Sequence, residues 1–274
     1  MKSYYKGKVD VGRDIQIFVL NKLRSSSIKV ADWLLRSDWI PDMLLINLPQ
    51  STQEVLEEYG NGMISDQAFW MQWKELFDLS DPFINALRYR FHPLLQAIAY
   101  FYKKNPQIKV IPYEADYSFL TGECLKEQFM LLLYRARATQ KIDLKGWKEV
   151  LYDEFQWNKS NQKKIEENVL INLQKQKSCA NLCLGGSKAL RDFLLKNGYS
   201  VRMRYFGSYW RDPLEVLSYL ISLKGPQNIS DPCIQACIKN HISYLDFILK
   251  ENTIDAAHQR WAQQTFKIYS PDPL

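Results

Sequence analysis

Ile108-Lys109-Val110-Ile111-Pro112-Tyr113-Glu114-Ala115-Asp116 is a short apolar, β-branched run that follows a long amphipathic segment and ends in two carboxylates. A run of this length, bounded by a turn signal, predicts a strand. Glu114 and Asp116 then stand where the chain leaves a sheet, and in open α/β sheets ligands bind outside the carboxyl ends of the strands. Two carboxylates there can hold a divalent cation, or divide the roles of general acid and general base because neighbouring like charges push their pKa values apart. An acidic turn or helix cap is the plain structural alternative.

Upstream, Asp14-Ile15-Gln16-Ile17-Phe18-Val19-Leu20 reads as a buried strand, and Asn21-Lys22-Leu23-Arg24-Ser25-Ser26-Ser27 as the turn into a helix over about 28–36. Met43-Leu44-Leu45-Ile46-Asn47-Leu48-Pro49 is a second strand, which closes a β-α-β unit with a right-handed crossover. Helical patterns over 50–59 and 65–79, a helix from Ser80-Asp81-Pro82, and another opened by His92-Pro93 lead to the third strand. The alternation predicts an α/β fold, a mostly parallel sheet flanked by helices.

After Thr121-Gly122 the pattern turns helical, over 123–140, 144–155 and 160–176. Gly185-Gly186-Ser187 opens a further helix, 199–206 alternates like a strand, and helices follow over 214–223, 231–251 and 255–266. The expected organisation is a first part of the α/β core over 1–120, a helical insertion or subdomain over 121–184, and a return to the core with C-terminal helices over 185–274.

The 274 residues are 46% hydrophobic and 24% charged, enough for a sizeable core and unlike a disordered chain. A net charge of +6 favours an anionic ligand without demanding one, and leaves nucleic acid open as a partner. No apolar run is long enough to span a bilayer, and Met1-Lys2-Ser3-Tyr4-Tyr5-Lys6 leads into charge instead of a signal core. The expectation is a soluble, cytoplasmic protein with no membrane partner. Three histidines, His92, His241 and His258, are too few for a histidine-rich metal site.

Several constellations could carry chemistry. The 21–27 turn offers amides, hydroxyls and positive charge to an anion, with Asn21 and Arg24 as substrate-binding candidates, although an ordinary capped turn has the same composition. Neither G-x-G-x-x-G nor a Walker A sequence occurs. Asn47, at the end of the second strand, and His92, beside Arg88 and Arg90, complete the substrate-binding set; a solvated helix face is the better explanation of those arginines, since surface Arg is common. Four of the five cysteines form two C-x-x-x-C pairs, Cys179/Cys183 and Cys233/Cys237, each expected on one helix face. Together they could bind zinc or an iron–sulfur cluster. Plain core packing and disulfides compete with that reading, and disulfides inside a cell would point to a hyperthermophile such as a thermophilic archaeon. Arg202, Arg204, Tyr205, Tyr209, Trp210 and Arg211 interleave charge with rings as a nucleic-acid surface does, or as a sheet edge beneath a helix does. There is no G-x-S-x-G elbow for a serine nucleophile.

The first strand with its serine turn, the run Ile40-Pro41-Asp42-Met43-Leu44-Leu45-Ile46-Asn47-Leu48-Pro49, the helix leading to 108–113, and the inserted helices resemble TraB-like and erythromycin-esterase-like proteins. The resemblance covers about the first 120 residues and, more faintly, 185–220. It implies an α/β fold with a helical insertion and a strand-end site, in a superfamily that includes hydrolases, some resembling metal-dependent peptidases. The G-x-x-H that family shows after its first strand is replaced here by Leu20-Asn21-Lys22-Leu23-Arg24, and its Glu before Pro by Asn47-Leu48-Pro49. The resemblance therefore implies a member without the ligands of a metal-assisted hydrolase.

Three functional readings follow. The first is a strand-end pocket that is a diverged hydrolase site or a binding site for a small anionic ligand, with Glu114 and Asp116 as acid and base. The second is a non-catalytic interaction protein, nucleic-acid-associated through the 202–211 patch. The third is a metal or iron–sulfur protein built on the cysteines. No cofactor is identified by sequence.

Overall fold

The computed structural model describes residues 14–176, 180–207 and 209–266. Its centre is a five-stranded sheet of β1 (Asp14–Val19), β2 (Met43–Pro49), β3 (Lys109–Glu114), β4 (Asn181–Leu184) and β5 (Ser200–Tyr205), in the order β3-β2-β4-β1-β5. Every pairing is parallel. A parallel sheet covered on both faces needs strands that are apolar throughout, and β2 is buried at every position except Asn47. Pro112 has no N–H for a second neighbour, and its strand β3 lies at the sheet edge, paired with β2 alone.

The expected α/β fold with helices inserted after the third strand is the observed one. The helices are α1 (Arg24–Arg36), α2 (Gln53–Gly60), α3 (Asp66–Phe77), α4 (Asp81–Lys104), α5 (Asp116–Thr139), α6 (Leu144–Lys175), α7 (Lys188–Lys196), α8 (Pro213–Lys224), α9 (Asp231–Lys250) and α10 (Ile254–Phe266). The patterns read over 144–155 and 160–176 join without a break in the single helix α6, and two further features differ from the sequence reading. Pro93 lies inside α4 instead of opening a helix. The lost hydrogen bond and ring clash of about 3 kcal/mol are offset by its neighbours Phe91, Leu94, Leu95, Ala97 and Ile98, all buried. Second, β4 falls inside the stretch read as helical insertion, so the sheet resumes at Asn181 and not after 185.

The chain divides into two compact units. The first takes residues up to Lys22, Ser26–Asp116 and Gln162–Phe206, and holds the whole sheet. On one sheet face Ile15, Ile17, Met43, Leu45, Tyr113 and Cys183 pack with Val169 and Leu173 of α6 and Leu190 and Leu194 of α7. On the other, Phe18 meets Trp33 of α1 edge-on at 4.7 Å. The β1→β2 and β2→β3 crossovers run in one direction along the sheet, while β3→β4 and β4→β5 run in the other. Right-handed crossovers therefore place α1–α4 on the Phe18 face and leave α6 and α7 on the opposite one. At their carboxyl ends, adjacent β2 and β4 send the chain to opposite faces, the arrangement that in open α/β sheets leaves a ligand-binding crevice outside the strand ends.

The second unit takes Leu23–Ser25, Tyr117–Asn161 and the residues from Gly207 onward. Its core is helical, with Leu133, Trp147, Leu151, Leu217, Ile221, Ile234 and Ile238 all buried. Glu154 lies at its margin, where Ser218 Oγ donates to Glu154 Oε2 at 2.8 Å. Burial raises this carboxyl above its ordinary 4.5, and the Ser218 bond partly opposes the rise. Between the ordinary and the folded value the native state holds more protons than the unfolded chain, so stability falls as pH rises through that window. Glu154→Gln is expected to raise Tm at neutral pH and to leave it unchanged below the ordinary carboxylate range. Thermal melts across pH check this; a loss of stability at neutral pH would refute it.

Candidate functional site

The crevice between β2 and β4 is built from two local irregularities. Between Ile46 and Pro49 the β2–β3 register shifts, so that Ile46 faces Pro112 while Pro49 faces Glu114. The bulge falls on Asn47 and Leu48, and a bulge of this kind re-aims the side chain it carries. Across from it β4 ends in Gly185-Gly186-Ser187. Gly185 has φ +85°, and a Cβ there would lie 2.8 Å from Asn47 Cβ and 3.5 Å from the Tyr113 hydroxyl. A Cβ at Gly186 would lie 2.6 Å from Ile17 Cγ2. Only glycine lets the turn approach both neighbours so closely.

Ser187 then caps α7. Its Oγ accepts from Leu190 N at 3.1 Å and donates to Gln162 Oε1 of α6 at 3.2 Å, and Gln162 Nε2 donates to Glu166 Oε1 at 2.9 Å. Six residues after Gln162 on α6, Asn168 Nδ2 donates to the Tyr113 carbonyl at 2.9 Å. With Leu190 N on the cap and Arg191 N on Ser187 O, the amides of Lys188 and Ala189 have no acceptor within the helix. In the crevice Asn47 Oδ1 is buried and, among the described residues, has no hydrogen-bond partner. A buried amide oxygen without a partner costs about 1–3 kcal/mol, so this atom weakens the fold as it stands.

No family model, curated protein or solved structure matches this chain. The chemistry of the crevice must therefore be read from its own groups. The Tyr113 hydroxyl donates to the Leu184 carbonyl at 3.1 Å. Burial holds the Tyr113 phenol well above its usual range and pushes the Cys183 thiol up to about 12. Neither ionises at neutral pH, so the sheet face beneath the crevice offers neutral groups and no ready nucleophile.

The residues singled out from sequence are dispersed. Glu114 ends β3, and Asp116 opens α5, where Asp116 Oδ1 accepts from Ser51 N at 3.0 Å just past β2. Asn47 is in the crevice. The Asn21 carbonyl, past β1, accepts from Arg90 at 3.3 Å. The amides of Arg24 and Ser25 donate to the two carboxylate oxygens of Asp255, at 3.2 and 2.7 Å. The helix start expected to hold an anion thus holds one supplied by the protein itself. His92 is on α4, its Nδ1 2.8 Å from Asp66, which also pairs with Arg88 at 2.6 Å and accepts from Trp70 Nε1 at 3.3 Å.

Of the cysteines, Cys179 lies outside the described residues. Cys183 is on strand β4 and not on a helix, while Cys233 and Cys237 do share a face of α9 within the helical core. Burial and the neighbouring Cys233 push the Cys237 thiol up to about 11. Among the described residues, no three of His, Cys, Asp and Glu come together as metal ligands do. In the 202–211 stretch the rings are already engaged: Trp210 stacks on Phe266 at 4.9 Å and Tyr209 on His258 at 5.1 Å, while Arg204 lies over Trp33 and Arg211 over Tyr219.

The helical unit also assembles a buried polar cluster that sequence reasoning missed. Asp212 caps α8, with Oδ1 accepting from Leu214 N at 2.9 Å and Glu215 N at 3.1 Å. His241 Nδ1 is 3.2 Å from that same oxygen but off the direction of a good hydrogen bond. The Tyr244 hydroxyl meets His258 Nδ1 at 3.2 Å, and the Tyr209 hydroxyl donates to Glu215. Burial and the surrounding carboxylates raise both phenols. The capping signature Asp212-Pro213-Leu214-Glu215 was visible in sequence, but the histidines reach it from α9 and α10.

Proposed function

We propose that this protein binds a small anionic ligand at the carboxyl end of β4. The observation that carries the reading is Asn47 Oδ1, a buried acceptor without a partner among the described residues, in a bulge beside the close approach of Gly185 and near the capped start of α7; a ligand hydroxyl, in inorganic phosphate the P–OH of the protonated ion, would satisfy it. The free amides of Lys188 and Ala189, the positive end of the α7 dipole and the exposed Lys188 ammonium supply attraction for the anion. Asn47, Gln162 and Glu166 offer hydrogen bonds to the polar remainder of the molecule. Glu114 and Asp116 are the residues on which a diverged hydrolase would rest, as the resemblance to TraB-like and erythromycin-esterase-like proteins implies. The binding reading is preferred because Asp116 is engaged with Ser51 and the groups beneath the crevice are un-ionised.

Millimolar inorganic phosphate is expected to raise the Tm of the wild-type protein. Lys188→Glu, an exposed change, should abolish that increase while keeping or slightly raising the Tm measured in its absence, since a carboxylate suits a helix start. Asn47→Ala should keep or raise the Tm of the free protein, because it removes an unpaired buried oxygen, and should weaken the phosphate response at least several-fold. Equal phosphate responses in wild type and both variants would overturn the proposal, as would no response in the wild type. If Glu114→Gln removes a hydrolytic activity from folded protein, the hydrolase reading replaces this one.

A further inference from the structure

The 24-residue helix α5 is apolar on two sides. Its inner side, including Ser118, Gly122, Leu125, Leu133 and Ala136, is buried. On the outer side, Tyr117, Leu120, Cys124, Glu127, Leu131 and Tyr134 follow one another at alternating spacings of three and four residues, the repeat of a coiled-coil seam. All six are exposed, with Tyr117 at 72%, Leu131 at 66% and Tyr134 at 59%. Taking about 200 Å² for a fully exposed aromatic side chain and somewhat less for leucine, the four large residues present roughly 400 Å² of apolar surface. That is as large as the largest apolar patch of a typical monomer, which is often functional, and the amount suits the centre of an interface burying about 800 Å² per partner.

The order of the residues says what the partner is. Read backwards, the stripe repeats itself: tyrosine, leucine, two small or polar positions, leucine, tyrosine. A two-fold axis requires that residue i of one copy meet residue j of the other and j meet i. An antiparallel pair of α5 helices satisfies this in every layer, with Tyr117 on Tyr134, Leu120 on Leu131 and Cys124 on Glu127 of the second copy. The parallel arrangement would place the two Glu127 carboxylates side by side in one layer, a repulsion that the antiparallel one avoids. We infer that α5 is the contact surface of a two-fold homodimer in which two copies pair antiparallel along this seam.

Light scattering after size exclusion tests the inference on the full chain. The wild type is expected at twice 32.3 kDa, and the double variant Leu131→Glu, Tyr134→Glu at 32.3 kDa with an unchanged circular dichroism spectrum, since both side chains are exposed. Leu131→Met should remain dimeric, which separates loss of the seam from general damage. Mild oxidation of Glu127→Cys should give a covalent dimer in high yield through Cys124 of the second copy. A monomeric wild type, a dimer that survives the double variant, or cross-linking that proceeds equally well without the Glu127 change would each overturn the proposal.

Discussion

Replacing Asp212 by alanine is expected to lower the unfolding free energy by about 3 kcal/mol. The side chain is 1% exposed and performs two tasks with one oxygen. As the N-cap of α8 it accepts from the Leu214 and Glu215 amides, and Glu215 returns a bond to the Asp212 amide at 3.0 Å. Loss of such a cap costs about 1–2 kcal/mol. The same oxygen lies 3.2 Å from buried His241 Nδ1, and taking it away leaves that nitrogen desolvated without its polar neighbour, a further cost of about 1–3 kcal/mol. The two losses share atoms and will not add in full. Asp212→Asn keeps the acceptor and loses the charge, so it should cost less than half as much. Urea unfolding followed by circular dichroism measures both, and an alanine variant within the error of wild type would refute the account.

Gly185→Ala is expected to cost about 3 kcal/mol and to abolish the phosphate response. A φ of +85° is strained for a residue with a Cβ, by about 1–2 kcal/mol. The new methyl would also press on Asn47 Cβ at 2.8 Å, an overpacking of about 1–3 kcal/mol unless the bulge yields. The two parts separate experimentally, because Asn47→Gly removes the atom that is struck. In that background the alanine should cost only its backbone strain, and the difference between the two costs is the coupling across the crevice. Equal costs in both backgrounds would mean that β2 and β4 do not meet there as described.

The sheet strands that read clearly were the ones with their own punctuation. Met43–Pro49 is seven residues of nearly unbroken apolar character ending at proline, and 108–113 ends at carboxylates; both are strands within a residue or so of where the sequence places them. Asn181–Leu184 escaped because four residues carry no periodicity, and because Cys179/Cys183 suggested a helix face. That single omission hid the centre of the sheet, and with it the significance of Gly185-Gly186-Ser187, which sequence marks only as one more helix start. The crevice was legible in pieces: Asn47 and the glycines were both visible, but nothing in a linear pattern says that residues 138 apart face each other. The Arg24 turn shows the reverse case. Its amides do attract an anion, and the anion is Asp255, a partner 231 residues away that local reading has no means of anticipating.

The strand order carries a consequence for the protein as it is made. β1 is flanked by β4 and β5 alone, so its partners lie more than 160 residues further along the chain. At a translation rate of about 5–20 residues per second, Ile15, Ile17 and Phe18 emerge roughly ten to thirty seconds before any strand exists to cover them. β2 and β3 can pair in the meantime, but the sheet closes only when the four residues of β4 arrive to join the two halves. The nascent chain must spend that interval with an unmatched apolar strand, so closure of the sheet waits on residues made more than 160 positions after β1.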